Sequence, residues 1–199
     1  MITISSGNLK NIKLKVHESI RPTKSIVKSA VFNMLRHRNF GEGNNFLDLF
    51  AGSGNMGIEA ASHGFIPFFS EKFKSVYENL LSNLIKSKIN YEEFKFGGMK
   101  KIGVKTSLNK PAVVYGDAVK ILEFLNFKFD AVYIDPPYDC NIGEKILNSN
   151  FFKKNATENT VIFFETKREV KDIDDFYELE TSKKYGDSVL NILKIAQKP

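Results

Sequence analysis

From Phe46 onward the chain alternates short apolar runs with segments whose apolar residues recur at helical spacing, a pattern that predicts a parallel sheet built from βαβ units. Strands are expected near 46–50, 66–70, 112–115, 129–134 and 160–165, and helices near 55–63, 73–88, 117–126 and 142–149. The end of the chain departs from this. Tyr177 to Lys183 and Ser188 to Ile195 alternate as two strands joined at Tyr185-Gly186-Asp187, which reads as an antiparallel hairpin. Ahead of the sheet, residues 2–16 alternate loosely around Ser6-Gly7-Asn8 and suggest a small hairpin. Arg21-Pro22-Thr23 breaks it, and Thr23 is expected to cap a helix from about 24 to 38. That helix would place Val27, Val31, Met34 and Leu35 on one face and Lys24 and Lys28 on another.

The expected architecture is therefore an α/β sheet, mostly parallel with a C-terminal antiparallel hairpin, plus a small N-terminal hairpin-helix extension. Residues 1–40 would form the extension and 41–199 the main domain. One stretch resists the scheme: residues 89–110 join a helix to a strand where about 2 to 6 residues would be usual. An inserted loop or hairpin would fit there.

With 199 residues the chain can bury a core without a disulfide or structural metal, and its single Cys140 can make no internal bridge. No apolar run approaches the length of a membrane helix, and the start lacks the apolar block of a signal peptide, so a cytoplasmic protein is expected. The net charge of +6 is unevenly placed. Residues 1–38 carry a net +7 and residues 39–199 a net −1, and three of the four arginines lie in the first segment. Arginine is a strong phosphate ligand, so nucleic-acid contact competes here with simple solvation. Residues 89–110 add a second basic region with Lys95, Lys100, Lys101, Lys105 and Lys110.

Candidate chemistry begins at Phe46-Leu47-Asp48-Leu49-Phe50-Ala51-Gly52-Ser53-Gly54, a strand that runs into a small-residue turn and then a helix. Gly52 and Gly54 would let backbone approach a ligand at the carboxyl end of a strand, where open α/β sheets bind ligands. Gly52 to Gly57 formally matches the dinucleotide pattern, a weak signal alone. Asp48 separates the readings, because a carboxylate there would repel a pyrophosphate and suit a cation such as S-adenosylmethionine. Two further acids end later strands. Glu71 could accept from ribose hydroxyls and Asp117 from an adenine amino group, although each could equally cap the next helix.

The second site is Ala131 to Tyr138, another strand that stops abruptly. Tandem prolines hold Asp135 and Pro136 in non-helical geometry, which frees the Asp135 carboxylate and the Pro136 carbonyl as acceptors while Tyr138 offers a flat face. An exocyclic amino group on a nucleobase, with two N–H donors and an aromatic ring, complements these features.

The pair LDLFAGSG and DPPY, in that order, resembles S-adenosylmethionine-dependent amino-methyltransferases. Arg21-Pro22-Thr23 with Ala30-Val31-Phe32-Asn33-Met34-Leu35 narrows the resemblance to the RsmD-type 16S ribosomal RNA guanine-N2 methyltransferases. Gly57-Ile58-Glu59-Ala60, Glu71-Lys72 with Asn83, and Lys184-Tyr185-Gly186-Asp187-Ser188 also match that pattern. The chain departs from it in carrying lysines where family members usually carry arginines in the N-terminal hairpin, and in the long 89–110 stretch.

The resemblance implies a Rossmann-like S-adenosylmethionine-dependent methyltransferase sheet. It also implies that Asp48, Phe50, Gly52, Gly54, Glu71, Asp117 and Ala118 bind S-adenosylmethionine, and that Asp135, Pro136, Pro137 and Tyr138 hold the target base. RNA contacts are assigned to Arg21, Thr23, Lys24, Lys28, Lys184 and Tyr185, and no metal is expected. The implied reaction methylates a guanine N2 amino group of 16S ribosomal RNA, in the 30S subunit or a late assembly intermediate, by a monomer that needs no membrane. Two alternatives stand beside it: a DNA adenine-N6 methyltransferase, which DPPY would serve equally well, and a non-catalytic RNA-binding assembly factor.

Overall fold

A computed structural model describes residues 1–21, 23–95, 109–137, 141–171 and 173–197. The chain opens with a two-stranded antiparallel hairpin, β1 (Ile2–Thr3) and β2 (Lys13–Leu14), followed by helix α1 (Ser25–His37). Then come β3 (Asn45–Asp48), α2 (Asn55–Ser62), β4 (Ile66–Glu71), α3 (Lys74–Lys86), β5 (Glu92–Lys95), β6 (Ala112–Tyr115) and α4 (Ala118–Leu122). The remainder is β7 (Ala131–Ile134), α5 (Ile142–Leu147), α6 (Asn150–Asn155), β8 (Val161–Thr166), β9 (Tyr177–Tyr185) and β10 (Ser188–Ile195). The large sheet has eight strands in the order β5-β6-β4-β3-β7-β8-β10-β9. Pairing is parallel from β5 through β8, and β10 and β9 add antiparallel at one edge.

Every central strand is apolar on both faces because helices cover both. On one side Leu47, Val132, Ile134, Ile162 and Phe164 pack with residues of α4, α5 and α6 such as Ile121, Ile146 and Phe152. On the other, Phe46, Tyr133 and Phe163 pack beneath Val27, Val31, Phe32 and Leu35 of α1 and Met56 of α2. The N-terminal hairpin continues this second layer, where Ile4 and Leu14 join Ile58, Phe69 and Leu80. Chain order reverses between β3 and β7, whose register pairs Asp48 with Tyr133. That switch point opens a crevice at the carboxyl ends of the strands.

Several sequence expectations change. The residue before α1 is Lys24, and no side chain caps the helix. Thr23 instead turns toward the sheet, its carbonyl accepting from the Asn55 amide at 3.3 Å and its side chain meeting Tyr133. The helix expected near 142–149 is two short helices parted by Asn148 and Ser149. The second, α6, escapes periodicity analysis because six residues hold too few turns, yet Phe151 and Phe152 are buried. Glu92–Lys95, within the 89–110 stretch, adds an edge strand parallel to β6, while residues 96–108 lie outside the described set.

Candidate active site

Where β3, β4, β7 and β8 end, a cavity of about 520 Å³ is lined by Asp48, Glu71, Asp135 and Glu165 from the sheet and by Arg21, Thr23 and Lys24 from the segment before α1. Four carboxyl groups thus converge on one space. Asp48 is the last residue of β3, and its Oδ2 accepts the Gly57 N–H of α2 at 3.0 Å. Burial pushes its carboxyl up to about 7; the Gly57 and Phe50 amides oppose that rise and the neighbouring Glu71 charge adds to it. No basic side chain pairs with Asp48 among the described residues.

Glu71 ends β4 and takes two backbone amides, Gly52 at 3.1 Å on Oε2 and Phe73 at 2.8 Å on Oε1. Burial raises its carboxyl against those amides and Lys72. The turn between β3 and α2 needs its glycines: Gly52 and Gly54 adopt φ of 55° and 82°. A Cβ on Gly54 would also stand 2.6 Å from Leu80 Cδ1. Phe50, Gly52 and Ala118 line the cavity, whereas Gly54 and Asp117 do not. Gly54 shapes the turn, and Asp117 caps α4 by accepting from the Val119 and Lys120 amides at 3.1 and 3.4 Å.

Asp135, Pro136 and Pro137 follow β7 directly and line the same cavity. Burial, and then the charges of Glu165 and Asp48, lift the Asp135 carboxyl well above the usual carboxylate range, with Arg21 pulling the other way. Tyr138 lies outside the described residues. Sequence reasoning missed Tyr133 and Glu165. The Tyr133 hydroxyl donates to Glu165 Oε2 at 2.5 Å, and both side chains line the cavity while almost fully buried. A signal existed: Glu165 is the only charged residue in the strand Val161–Thr166.

The basic residues divide. Arg21 and Lys24 stand at the mouth, where both bind the Asp187 carboxylate in the β9–β10 turn, Arg21 at 2.9 Å. Lys24 also donates to the Tyr185 carbonyl at 3.1 Å. Lys184 is exposed nearby, and Tyr185 is half-buried against the cluster under α1. Lys28 corrects the sequence reading. It is 1% exposed, and its ammonium is used within the protein: Glu59 at 2.7 Å, the Thr3 carbonyl at 2.8 Å and Asn55 Oδ1 at 3.0 Å. A group so enclosed contacts no RNA.

A parallel α/β sheet with this switch point, an antiparallel edge hairpin and an acid-lined crevice is a methyltransferase fold. Among solved structures it is similar to the "Putative methyltransferase yhhF" of Escherichia coli, with a TM-score of 0.77 and 24% identity over 98% of this chain and 97% of that one. The family described as Conserved hypothetical protein 95 matches residues 2–194, and the chain belongs to this RsmD-type methyltransferase family. The Ribosomal RNA small subunit methyltransferase D of Haemophilus influenzae is 30% identical over 176 residues, 84% of this chain and 80% of its own. Its counterpart from Buchnera aphidicola subsp. Baizongia pistaciae is 25% identical over 161 residues, 78% of this chain and 72% of its own.

Proposed function

We propose that this protein transfers a methyl group from S-adenosylmethionine to the exocyclic N2 amino group of a guanine in 16S ribosomal RNA. The observation that carries the reading is that one cavity joins Asp48 and Glu71 to Asp135 and Pro136. S-adenosylmethionine supplies a methyl carbon made electrophilic by its sulfonium. Asp48 fits such a cation, being a buried carboxyl without a basic partner among the described residues. Glu71 is held by two amides and keeps acceptor capacity for ribose hydroxyls. The volume lies within the range of small-molecule sites, about 300 to 1,000 Å³.

The Asp135 carboxylate and the Pro136 carbonyl accept the two amino hydrogens and orient the nitrogen lone pair, with Tyr138 stacking on a base drawn out of its surroundings. Arg21, Lys24 and Lys184 contribute phosphate contacts at the mouth. The names of the small-subunit relatives favour ribosomal RNA over DNA. The test offers radiolabelled S-adenosylmethionine with 30S particles, protein-free 16S RNA and duplex DNA in parallel. Label is expected in small-subunit RNA at a guanine N2. Label confined to DNA would identify an adenine-type enzyme, and absence of cofactor binding would leave an RNA-binding factor.

The buried Asp48 makes a pH prediction. With its carboxyl pushed up to about 7, the free protein holds a proton there at lower pH, and a cationic ligand must displace it. S-adenosylmethionine affinity should therefore rise with pH up to about 7, approaching tenfold per pH unit, and level off above. Calorimetry in buffers of different protonation enthalpy should show proton release at pH 6. An affinity that stays flat from pH 5.5 to 8.5 would exclude this role for Asp48.

A further inference from the structure

Of the four carboxyl groups that line the crevice, the reading above leaves one unused, Glu165. Strands β7 and β8 are parallel with Ile134 opposite Phe164, so one residue further Asp135, just past the end of β7, lies beside Glu165, still within β8, about 5 Å apart in backbone. Tyr133 precedes Asp135 by two residues and shares its face, from which its hydroxyl reaches diagonally to Glu165 Oε2 at 2.5 Å. Glu165 lines the cavity although it is only 4% exposed. A charged side chain is rare at such a buried position. Asp48 from β3 and Arg21 from the segment before α1 complete the charged groups facing Asp135.

We propose that Glu165 is a positioning residue for proton transfer: held by Tyr133, its negative charge beside Asp135 drives the target amine's departing proton onto the Asp135 carboxylate. The inference rests on the methyl-transfer reading. As the amine lone pair forms the new N–C bond, the electrons of the breaking C–S bond remain with sulfur and the nitrogen becomes cationic. One N–H bond then breaks, its electron pair returns to nitrogen, and the proton passes to Asp135 and onward to solvent. A neighbouring like charge raises the proton affinity of Asp135, so it acts as an acceptor matched to neutral pH. The buried position of that charge keeps solvent from screening it.

The test is the pH profile of kcat for label transfer to small-subunit RNA, measured for the full chain and for Glu165→Gln and Glu165→Asp. Glu165→Gln keeps the shape and the acceptor for Tyr133 but removes the charge. Its kcat at pH 8 should fall about 10- to 100-fold. The acid limb of its profile should move down by about one pH unit or more, with KM and S-adenosylmethionine affinity within about twofold of the unaltered protein. Glu165→Asp, which restores the charge, should recover most of the limb position. An unchanged profile for Glu165→Gln, or parallel loss of turnover and cofactor binding without a limb shift, overturns the proposal. If the unaltered protein places no label in RNA, the methyl-transfer reading itself fails, a result distinct from an active enzyme indifferent to Glu165.

Discussion

Replacing Asp135 with alanine should abolish most methyl transfer while leaving the fold and cofactor affinity in place, and this is the largest effect on activity expected of any side chain in the crevice. The substitution removes both an acceptor that orients the amine and the group that takes its proton. General-base contributions of this kind amount to about 10²- to 10⁴-fold, or roughly 3 to 5 kcal/mol of barrier. Stability should not suffer, because the carboxyl is held in a buried place beside Glu165 and Asp48 and its removal relieves that repulsion. A thermal melt equal to or above that of the unaltered protein, combined with turnover reduced at least a hundredfold, is the expected pair of results. Near-native turnover with intact cofactor binding would mean that the backbone around Pro136 suffices.

The largest expected effect on stability lies at Lys28. Glu59 is almost fully buried and accepts from the Ser5 and Ser6 amides and hydroxyls as well as from Lys28. Burial alone would push its carboxyl up, but the hydrogen bonds from Lys28 and Ser5 outweigh that and hold it below the ordinary value. Lys28→Met removes the cation and leaves the buried anion short of a partner, which costs about 3 to 5 kcal/mol. For a chain of this size the melting temperature should drop by roughly 6 to 20 °C. Adding Glu59→Gln should recover much of that loss, because the second substitution removes the stranded charge. If Lys28→Met instead weakened RNA binding at unchanged stability, the ammonium would have to be reachable from outside, against its position in the fold.

Lys28 also shows what the sequence could not disclose. Spacing of four residues puts Lys28 one turn beyond Lys24, the residue before α1, but it says nothing about what arrives from elsewhere in the chain. Glu59, thirty-one residues on, and the carbonyl of Thr3 come together only when the hairpin closes over α2. Local signals are strongest where an apolar run ends on a polar residue that lines the crevice. Asp48 before the glycine turn and Asp135 before two prolines are readable because a run of buried residues ends on an acid. The parallel pairing of the central strands follows from the alternation of strand and helix.

Glu165 escaped because it lies inside such a run, where a strand pattern absorbs one odd residue as noise. Gly54 and Asp117 show the converse. Both stand at the right points in sequence for ligand contact, yet one is required by a left-handed turn against Leu80 and the other by the amides that open α4. A small residue or an acid at a strand-to-helix junction has local work to do, and only the three-dimensional arrangement shows whether any capacity is left over.

The contact among Arg21, Lys24 and Asp187 has a further consequence. All three side chains are largely or partly in solvent, where ion pairs contribute little net stability, so exchanging the carboxylate for another anion costs little. What the contact does provide is order. Two long cationic side chains are already drawn together on one oxygen, so an anion binding there would meet groups whose freedom has been spent beforehand. An anion binding to Arg21 and Lys24 would therefore have to compete with the Asp187 carboxylate of the last hairpin's turn.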